Sequence, residues 1–332
     1  MVADEVFSCG HFTKWILLTK ELYVSNYVLV ATLVLLSVPS AVLNALVFIV
    51  IWQNPSLQTP SNIFLTNLAI SDLAVAAVAS PLMVTWKLLE IGDTTSNSTC
   101  KVAYVGGLIT SAFGSFSFFT VTAATVDRHL ALRLHLSYTS VVTTRKVVIT
   151  CGVLLVSSLV LSSLTLIGVT EFTIGVLSSS FVCVFIMNYC YYKIYSVFRH
   201  HHTQIQSYQL GASHPESSIP NLRRFRKTVI NLLYVLGLYL FLYLPFICAA
   251  LTREILGDTM FTLSFMNISI AIAFLNSFVN PLVYCWRIKE FRVGIKAILP
   301  LRDVFLRMRQ CCRVEKKEKI AGLNITGKSF VV

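Results

Sequence analysis

This sequence is short of charge. Asp, Glu, Lys and Arg make up 13% of its 332 residues, against about 25% in a typical soluble domain. The few charges are unevenly placed: long stretches carry none, and the ends and short connectors carry nearly all. So few charges cannot tile a water-facing surface, so lipid must be the solvent over much of the chain. Also lacking is any CxxC pair or ordered His spacing among the nine cysteines, which argues against a zinc site. No nucleophile–base pair, metal triad or phosphate loop is legible, so the chain does not read as an enzyme. No internal repeat is visible, which counts against an inverted-repeat transporter. The first 21 residues hold Asp4, Glu5, Lys14, Lys20 and Glu21 and no long apolar run. They read as an extracellular segment without a cleavable signal peptide, and the first apolar run is expected to act as the anchor.

What is present is a set of uncharged runs, each near the roughly 20 residues a membrane-spanning helix needs. They are Leu22–Trp52, Ile63–Trp86 with Asp72 alone in its middle, Val102–Val126, Val147–Thr170, Phe172–Tyr192, Thr228–Thr252 and Met260–Trp286. Only Glu171 separates the fourth from the fifth. One helix of that combined length would overshoot the bilayer at about 1.5 Å per residue, so a tight turn is expected near Gly168–Phe172. The expected fold is all-α, a seven-helix transmembrane bundle. With the N-terminus outside, the outer segments hold only Lys14, Lys20, Lys87, Lys101 and Arg253 of the 27 Lys and Arg. The positive-inside rule favours that orientation. The net charge of +12 then belongs to the cytoplasmic face, and no basic stripe with aromatic platforms suggests nucleic acid. Residues 200–222 read as a flexible inner loop and residues 299–332 as a mostly disordered cytoplasmic tail. The domain plan is 1–21, 22–298 and 299–332. Within the second unit, Arg287 to Ile298 places Ile288, Phe291, Ile295 and Ile298 on one face, as in a short amphipathic helix lying on the inner leaflet.

A lone ionisable residue inside a span is a functional candidate by default. Asp72 stands in Asn67-Leu-Ala-Ile-Ser-Asp72-Leu; Asn44 lies in the first run and Leu57-Gln-Thr-Pro-Ser-Asn62 between the first two. Asp127-Arg128-His129 ends the third run, Pro245 lies in the sixth, and Asn276-Ser277 with Asn280-Pro281-Leu-Val-Tyr284 closes the seventh, followed by Phe291. In this order and on these spans, covering residues 25 to 300, the set resembles the rhodopsin-like (class A) G-protein-coupled receptors, and loosely their melanocortin, cannabinoid and adenosine members. The resemblance implies a plasma-membrane receptor that binds an extracellular ligand, activates a heterotrimeric G protein and engages arrestin.

The resemblance also implies roles. Asp72, Ser117, Asn276 and Asn280 would form an oxygen set suited to a hard cation such as Na⁺. Protonation of Asp72, or hydrogen bonding alone, is the alternative. Arg128 would pair with Asp127 at rest and on activation swing toward the G protein with Tyr191 and Tyr284. Pro245 would kink the sixth helix so that its inner end can lever outward. The acid that ties this arginine at the base of the sixth helix in many receptors is missing, for the matching stretch is Arg223-Arg224-Phe225-Arg226-Lys227. Elevated basal signalling is the corresponding expectation.

Departures from the family are equally plain. Tyr243 and Tyr239 stand where it has Trp and Phe, Cys183 where the fifth helix has Pro, and the fourth run has no Trp. The second outer loop has no cysteine; Cys100 and Cys9 either pair with each other or are free thiols. Thr110 stands where amine receptors have Asp, Phe274 where opsins have Lys, and Ala250 where adenosine receptors have Asn. Met83, Trp86, Thr110, Phe113 and Phe246 remain, with Glu90 and Arg253 at the rim. They fit a lipid-like or small apolar ligand or a short peptide. Asn97 heads an outer sequon, Cys311 and Cys312 are palmitoylation candidates, and the terminal Phe330-Val331-Val332 could add to a PDZ domain. The competing readings are a receptor-like scaffold that has lost coupling, and a transporter or channel.

Overall fold

The computed structural model describes residues 9–92, 96–134, 137–209, 219–287 and 289–298, and the side chains of most of them. Among the described residues there is no strand. Two short elements, α1 (Thr13–Leu17) and α6 (Tyr138–Val141), accompany the long helices. These are α2 (Tyr23–Gln53), α3 (Pro60–Ala74) continuing through a π turn into α4 (Ser80–Ile91), α5 (Asn97–Leu134), α7 (Thr144–Ser163), α8 (Val169–Gln209), α9 (Ile219–Leu256) and α10 (Met260–Arg287). Seven stretches are long and apolar enough to cross a membrane: Tyr23–Gln53, Pro60–Ile91, Asn97–Leu134, Thr144–Leu166, Thr170–Ser196, Gly237–Leu256 and Met260–Trp286.

Packing follows a closed circuit. α2 packs on α3, α4 and α10; α10 packs on α9, and α9 on α8. α5 is central, touching α3, α4, α7 and α8. Outward faces stay apolar and exposed, as at Val34, Val38, Val153, Val156, Phe181 and Phe185. A soluble bundle would have polar residues there; these faces are made for acyl chains. With lipid as apolar as leucine, helix contacts rely on small and hydroxyl side chains. Ser162 of α7 is buried and donates to the Leu108 carbonyl at 2.6 Å, with Ser111 at 2.8 Å.

Local sequence sets the boundaries. Thr59 caps α3, its side chain accepting from Asn62 N, and Pro60 sits in the first turn, where its missing N–H costs nothing. Gly257 takes φ 71° just past α9, the left-handed stop that glycine provides most cheaply. Pro39, Pro245 and Pro281 lie inside helices. Pro81, one residue into α4, follows the π turn Val75–Ala79, and the Ser80 hydroxyl donates to the Val75 carbonyl at 3.1 Å. An imide cannot continue the ladder, and the wider turn absorbs the mismatch. The extra residue rotates the outer half of the second span and so decides which of its side chains face inward.

Some expectations shift. The turn between the fourth and fifth spans comes earlier than Gly168–Phe172: a 3₁₀ turn, Leu164–Leu166, leads into it and helix resumes at Val169. The stretch expected as a loop at 200–222 is helical to Gln209 and again from Ile219; 210–218 lie outside the described residues. Chain contacts divide at 287/288 rather than 298/299. The second unit contains α11 (Lys289–Ile298). Cys311, Cys312 and the C-terminal Phe330-Val331-Val332 lie outside the described residues.

Candidate functional site

Three helices converge on one carboxylate. Asp72 of α3 is fully buried; its Oδ1 accepts from the hydroxyls of Ser117 (3.3 Å, α5) and Ser277 (2.9 Å, α10). Its Oδ2 accepts from Asn280 Nδ2 at 2.8 Å. Asn44 of α2 ties in from the fourth side, donating to the Ser277 carbonyl at 2.8 Å and the Ser40 carbonyl at 2.9 Å. Asn67 donates to Thr120 at 3.0 Å just below. Every partner of Asp72 is a neutral donor, so no fixed cation offsets it. Asn276, expected in this set, is buried, but neither its amide nitrogen nor its oxygen makes a hydrogen bond. Ser277, the next residue, takes the place: its side chain leaves the helix about 100° further round and reaches Asp72. The Asn276 oxygen and the Asn44 oxygen are therefore buried acceptors without donors. The Asp72 carboxylate and the Ser117 and Ser277 hydroxyls beside it are oxygen atoms of the kind a hard cation takes.

At the end of α5, Asp127 is buried and accepts from the Ser61 hydroxyl and, at 2.7 Å, from the Tyr138 hydroxyl. Burial first, then that hydrogen bond, pushes the Tyr138 hydroxyl up to about 12, so it remains a donor at any physiological pH. Among the described residues no ion pair joins Asp127 to Arg128, contrary to the expected resting pair. Each oxygen of the acid accepts a hydroxyl, from Ser61 and from Tyr138, and Arg128 lines a cavity of about 480 Å³ with Ser61, Tyr138 and Thr143. Tyr191 and Tyr284 are both buried.

Above Asp72, Tyr239 and Tyr243 stack at 4.6 Å, and Phe118 lies 5.5 Å from each. These rings fill the space where the family has Trp and Phe. Phe118 and Tyr243 also floor a cavity of about 220 Å³ that runs from Ser117 and Ser277 up to the N-terminal segment. Of the residues expected around a ligand, Met83, Trp86, Thr110, Phe246 and Arg253 line it. Phe113 does not, packing instead against the hydrophobic core. Phe274, Ala250 and Tyr243 line it as well.

The top of this cavity joins a pairing that the sequence left open to contacts that it did not show. Cys9 and Cys100 form a disulfide that ties the N-terminal segment to α5. Phe12 and Trp15 then fold over the cavity and line it; Phe12 meets Trp86 edge-on at 4.9 Å, and Trp15 stacks on Trp86 at 5.6 Å. Glu90, expected at a rim, is 1% exposed; Lys87, counted among outer-loop charges, is 0% exposed. They pair at 2.9 Å, and Lys87 Nζ lies 4.4 Å from the ring centres of both Trp15 and Trp86. Asn26 of α2 donates to the other Glu90 oxygen at 3.0 Å, and Asn267 of α10 donates to Asn26 at 2.7 Å. The π turn before Pro81 puts Lys87 and Glu90 on the inward face, a rotation no helical wheel drawn on the sequence would include. Asn97 is exposed at the start of α5.

Comparison with known proteins gives a consistent picture. Residues 43–183 and 169–284 match the family model described as 7 transmembrane receptor (rhodopsin family). The chain is 27% identical over 297 residues to the adenosine receptor A3 of Canis lupus familiaris, covering 82% of this chain and 90% of that one. It is 28% identical over 270 residues to the human G-protein coupled receptor 12, covering 76% and 75%. The crystal structure of squid rhodopsin superposes with a TM-score of 0.66 at 17% identity, covering 83% of this chain and 85% of that one, a likeness of fold.

Proposed function

The chain belongs to the rhodopsin family of seven-transmembrane receptors, and on that premise we propose that it binds a mostly apolar extracellular ligand in the cavity beneath Trp15 and Trp86 and drives nucleotide exchange on a heterotrimeric G protein. Membership makes it a multi-pass membrane receptor and not an enzyme. The single observation that carries the mechanism is the continuity of the site. Ser117 and Ser277 line the floor of the ligand cavity and also donate to Asp72. A ligand pressing on that floor, or on Tyr243 beside it, shifts the donors that stabilise the buried charge. The helices that carry them, α5 and α10, also carry Arg128 and Tyr284 toward their C-terminal ends.

In this reading the N-terminus is outside. Asp72, with Ser117, Asn276, Asn280 and Ser277, holds Na⁺ or a proton in the resting state. Pro245 and Pro281 let the inner ends of the sixth and seventh spans move, and Arg128 then engages the G protein with Tyr191 and Tyr284. Asp127 is held by Ser61 and Tyr138 rather than by Arg128, and the base of the sixth span has no acid. Both features support high basal signalling. The adenosine-receptor relatives are named for a nucleoside, but Ala250 replaces their amide side chain and the cavity walls are largely apolar. These features favour a lipid-like ligand here. Arrestin engagement, glycosylation at Asn97 and palmitoylation at Cys311 and Cys312 belong to the same proposal.

The test is ligand-free nucleotide exchange in nanodiscs against a panel of G proteins. We expect measurable exchange with at least one, abolished by Arg128→Ala. Exchange with none, or activity indifferent to Arg128→Ala, would sink the coupling claim and leave a scaffold.

A further inference from the structure

The top of the cavity is rich in hydrogen-bond donors that have nothing to donate to. Trp15 Nε1, Trp86 Nε1, Thr110 Oγ1 and Arg253 Nη2 are all buried and make no hydrogen bond, and all four residues line the cavity. Three are clustered: the two indoles stack at 5.6 Å, and the Arg253 guanidinium lies 5.6 Å from the Trp15 ring centre. The carboxylates nearby are already engaged. Both Glu90 oxygens are taken, by Lys87 and Asn26, and Asp258 accepts from Arg253 Nε at 2.6 Å. That bond occupies one edge of the guanidinium and leaves Nη2 for a second oxygen partner. No Asp or Glu is among the residues lining the cavity. Lower down the wall changes character. The serine hydroxyls of Ser111, Ser115 and Ser179 donate to their own helix backbones, and Val75, Phe118, Phe246, Ile270 and Phe274 supply apolar surface. Thr110 and Ser117 mark the two ends on α5, two helical turns or about 10 Å apart.

A buried donor without an acceptor is costly. Three of them clustered at the top of a largely apolar cavity, with Thr110 also on its wall, define the complement: a head made of acceptors, carrying negative charge to match the guanidinium, on an apolar body. Resting on the reading of this cavity as the ligand site, we infer that the ligand is an acidic amphiphile, in its simplest form a fatty carboxylate. Its head sits among Arg253, Trp15, Trp86 and Thr110, and its tail runs down toward Phe118 and Phe274. Cationic and donor-only heads are excluded by the same donor set, since they would add further unmatched donors beside Arg253.

The experiment is photolabelling of the full chain in nanodiscs with a diazirine-bearing fatty acid, with mapping of the labelled peptides. Oleate, methyl oleate, oleylamine and a lysophosphatidate serve as competitors. We expect cavity peptides to be labelled, and oleate to compete roughly tenfold or more better than its ester or the amine, the factor that hydrogen bonds to a charged group supply. Arg253→Gln should weaken labelling by about the same factor, and Arg253→Lys less. Thr110→Val, which keeps shape and removes a donor, and Trp86→Phe, which removes a donor and part of the ring, should each weaken it in protein whose fold is intact. A lysophosphatidate that outcompetes oleate identifies the head as phosphate and upholds an anionic amphiphile. Equal competition by the ester, preference for the amine, labelling confined to outward residues such as Val153 and Phe185, or indifference to all four variants overturns it. Nucleotide exchange driven by other compounds, with no acid labelling the cavity, would sink this inference alone. Labelling without exchange would sink only the coupling claim.

Discussion

The second span buries two carboxylates, and they are held in opposite ways. Asp72 is surrounded by neutral donors: two serine hydroxyls and an asparagine amide. Glu90, about five turns up the same span, is matched by an ammonium at 2.9 Å that also lies 4.4 Å from the ring centres of two indoles. A carboxylate held only by neutral donors keeps its charge uncompensated, and a proton or a small cation can come and go at modest cost. One locked to its own lysine is neutralised permanently. Removing either partner leaves a stranded charge in a low-dielectric place. The lower site therefore holds a carboxylate with only neutral partners, and the upper one clamps the first, second and seventh spans and the N-terminal segment together.

The comparison can be broken most sharply from the upper side. Lys87→Ala should destabilise the protein by about 3–5 kcal/mol, seen as a large drop in thermal unfolding temperature in nanodiscs, because Glu90 is left buried and unpaired. Lys87→Met combined with Glu90→Gln should recover most of that loss; failure to recover would mean that the indole contacts, not the charge pair, dominate. Cys9→Ser with Cys100→Ser comes next, at about 2 kcal/mol. It should also accelerate amide exchange across Thr13–Leu17, and unchanged exchange would show that ring packing alone holds the segment down. On the lower side, Asp72→Asn should alter stability by about 1 kcal/mol or less while abolishing any rise in unfolding temperature on adding Na⁺. A sodium response that survives would place the ion elsewhere. The smallest effect is expected from Asn67→Leu, which removes one interhelical hydrogen bond worth about 0.6 kcal/mol.

The two sites also differ in how legible they were. Asp72 announced itself as a single charge in an apolar run, and its ordered companions Asn44, Arg128, Asn280 and Pro281 made the family readable before any coordinates. One partner was not legible: Ser277, and not its neighbour Asn276, hydrogen-bonds to Asp72, because adjacent residues on a helix differ by about 100° and only packing decides which one reaches a partner. Lys87 and Glu90 looked like ordinary charges near a membrane boundary. Nothing local distinguishes them from solvated ones. Their burial depends on the π turn before Pro81, on Asn26 and Asn267 from distant spans, and on an N-terminal segment folded back over them. Trp15 had no periodic signal, and the pairing of Cys9 with Cys100 was left open by the sequence.

The sequence by itself determined the number of spans, the solvent they face and the family, because hydrophobic length and a lone intramembrane carboxylate are one-dimensional constraints that no packing can override. The tertiary structure alone decided how the upper end is closed, which donors are left without acceptors around the cavity, and that Asp127 turns to Ser61 and Tyr138 rather than to Arg128. Those are facts about which side chains meet across several helices. They follow from helix rotation, fixed to within a residue by a π turn and by small-residue contacts, and that rotation is not written in any single stretch of chain.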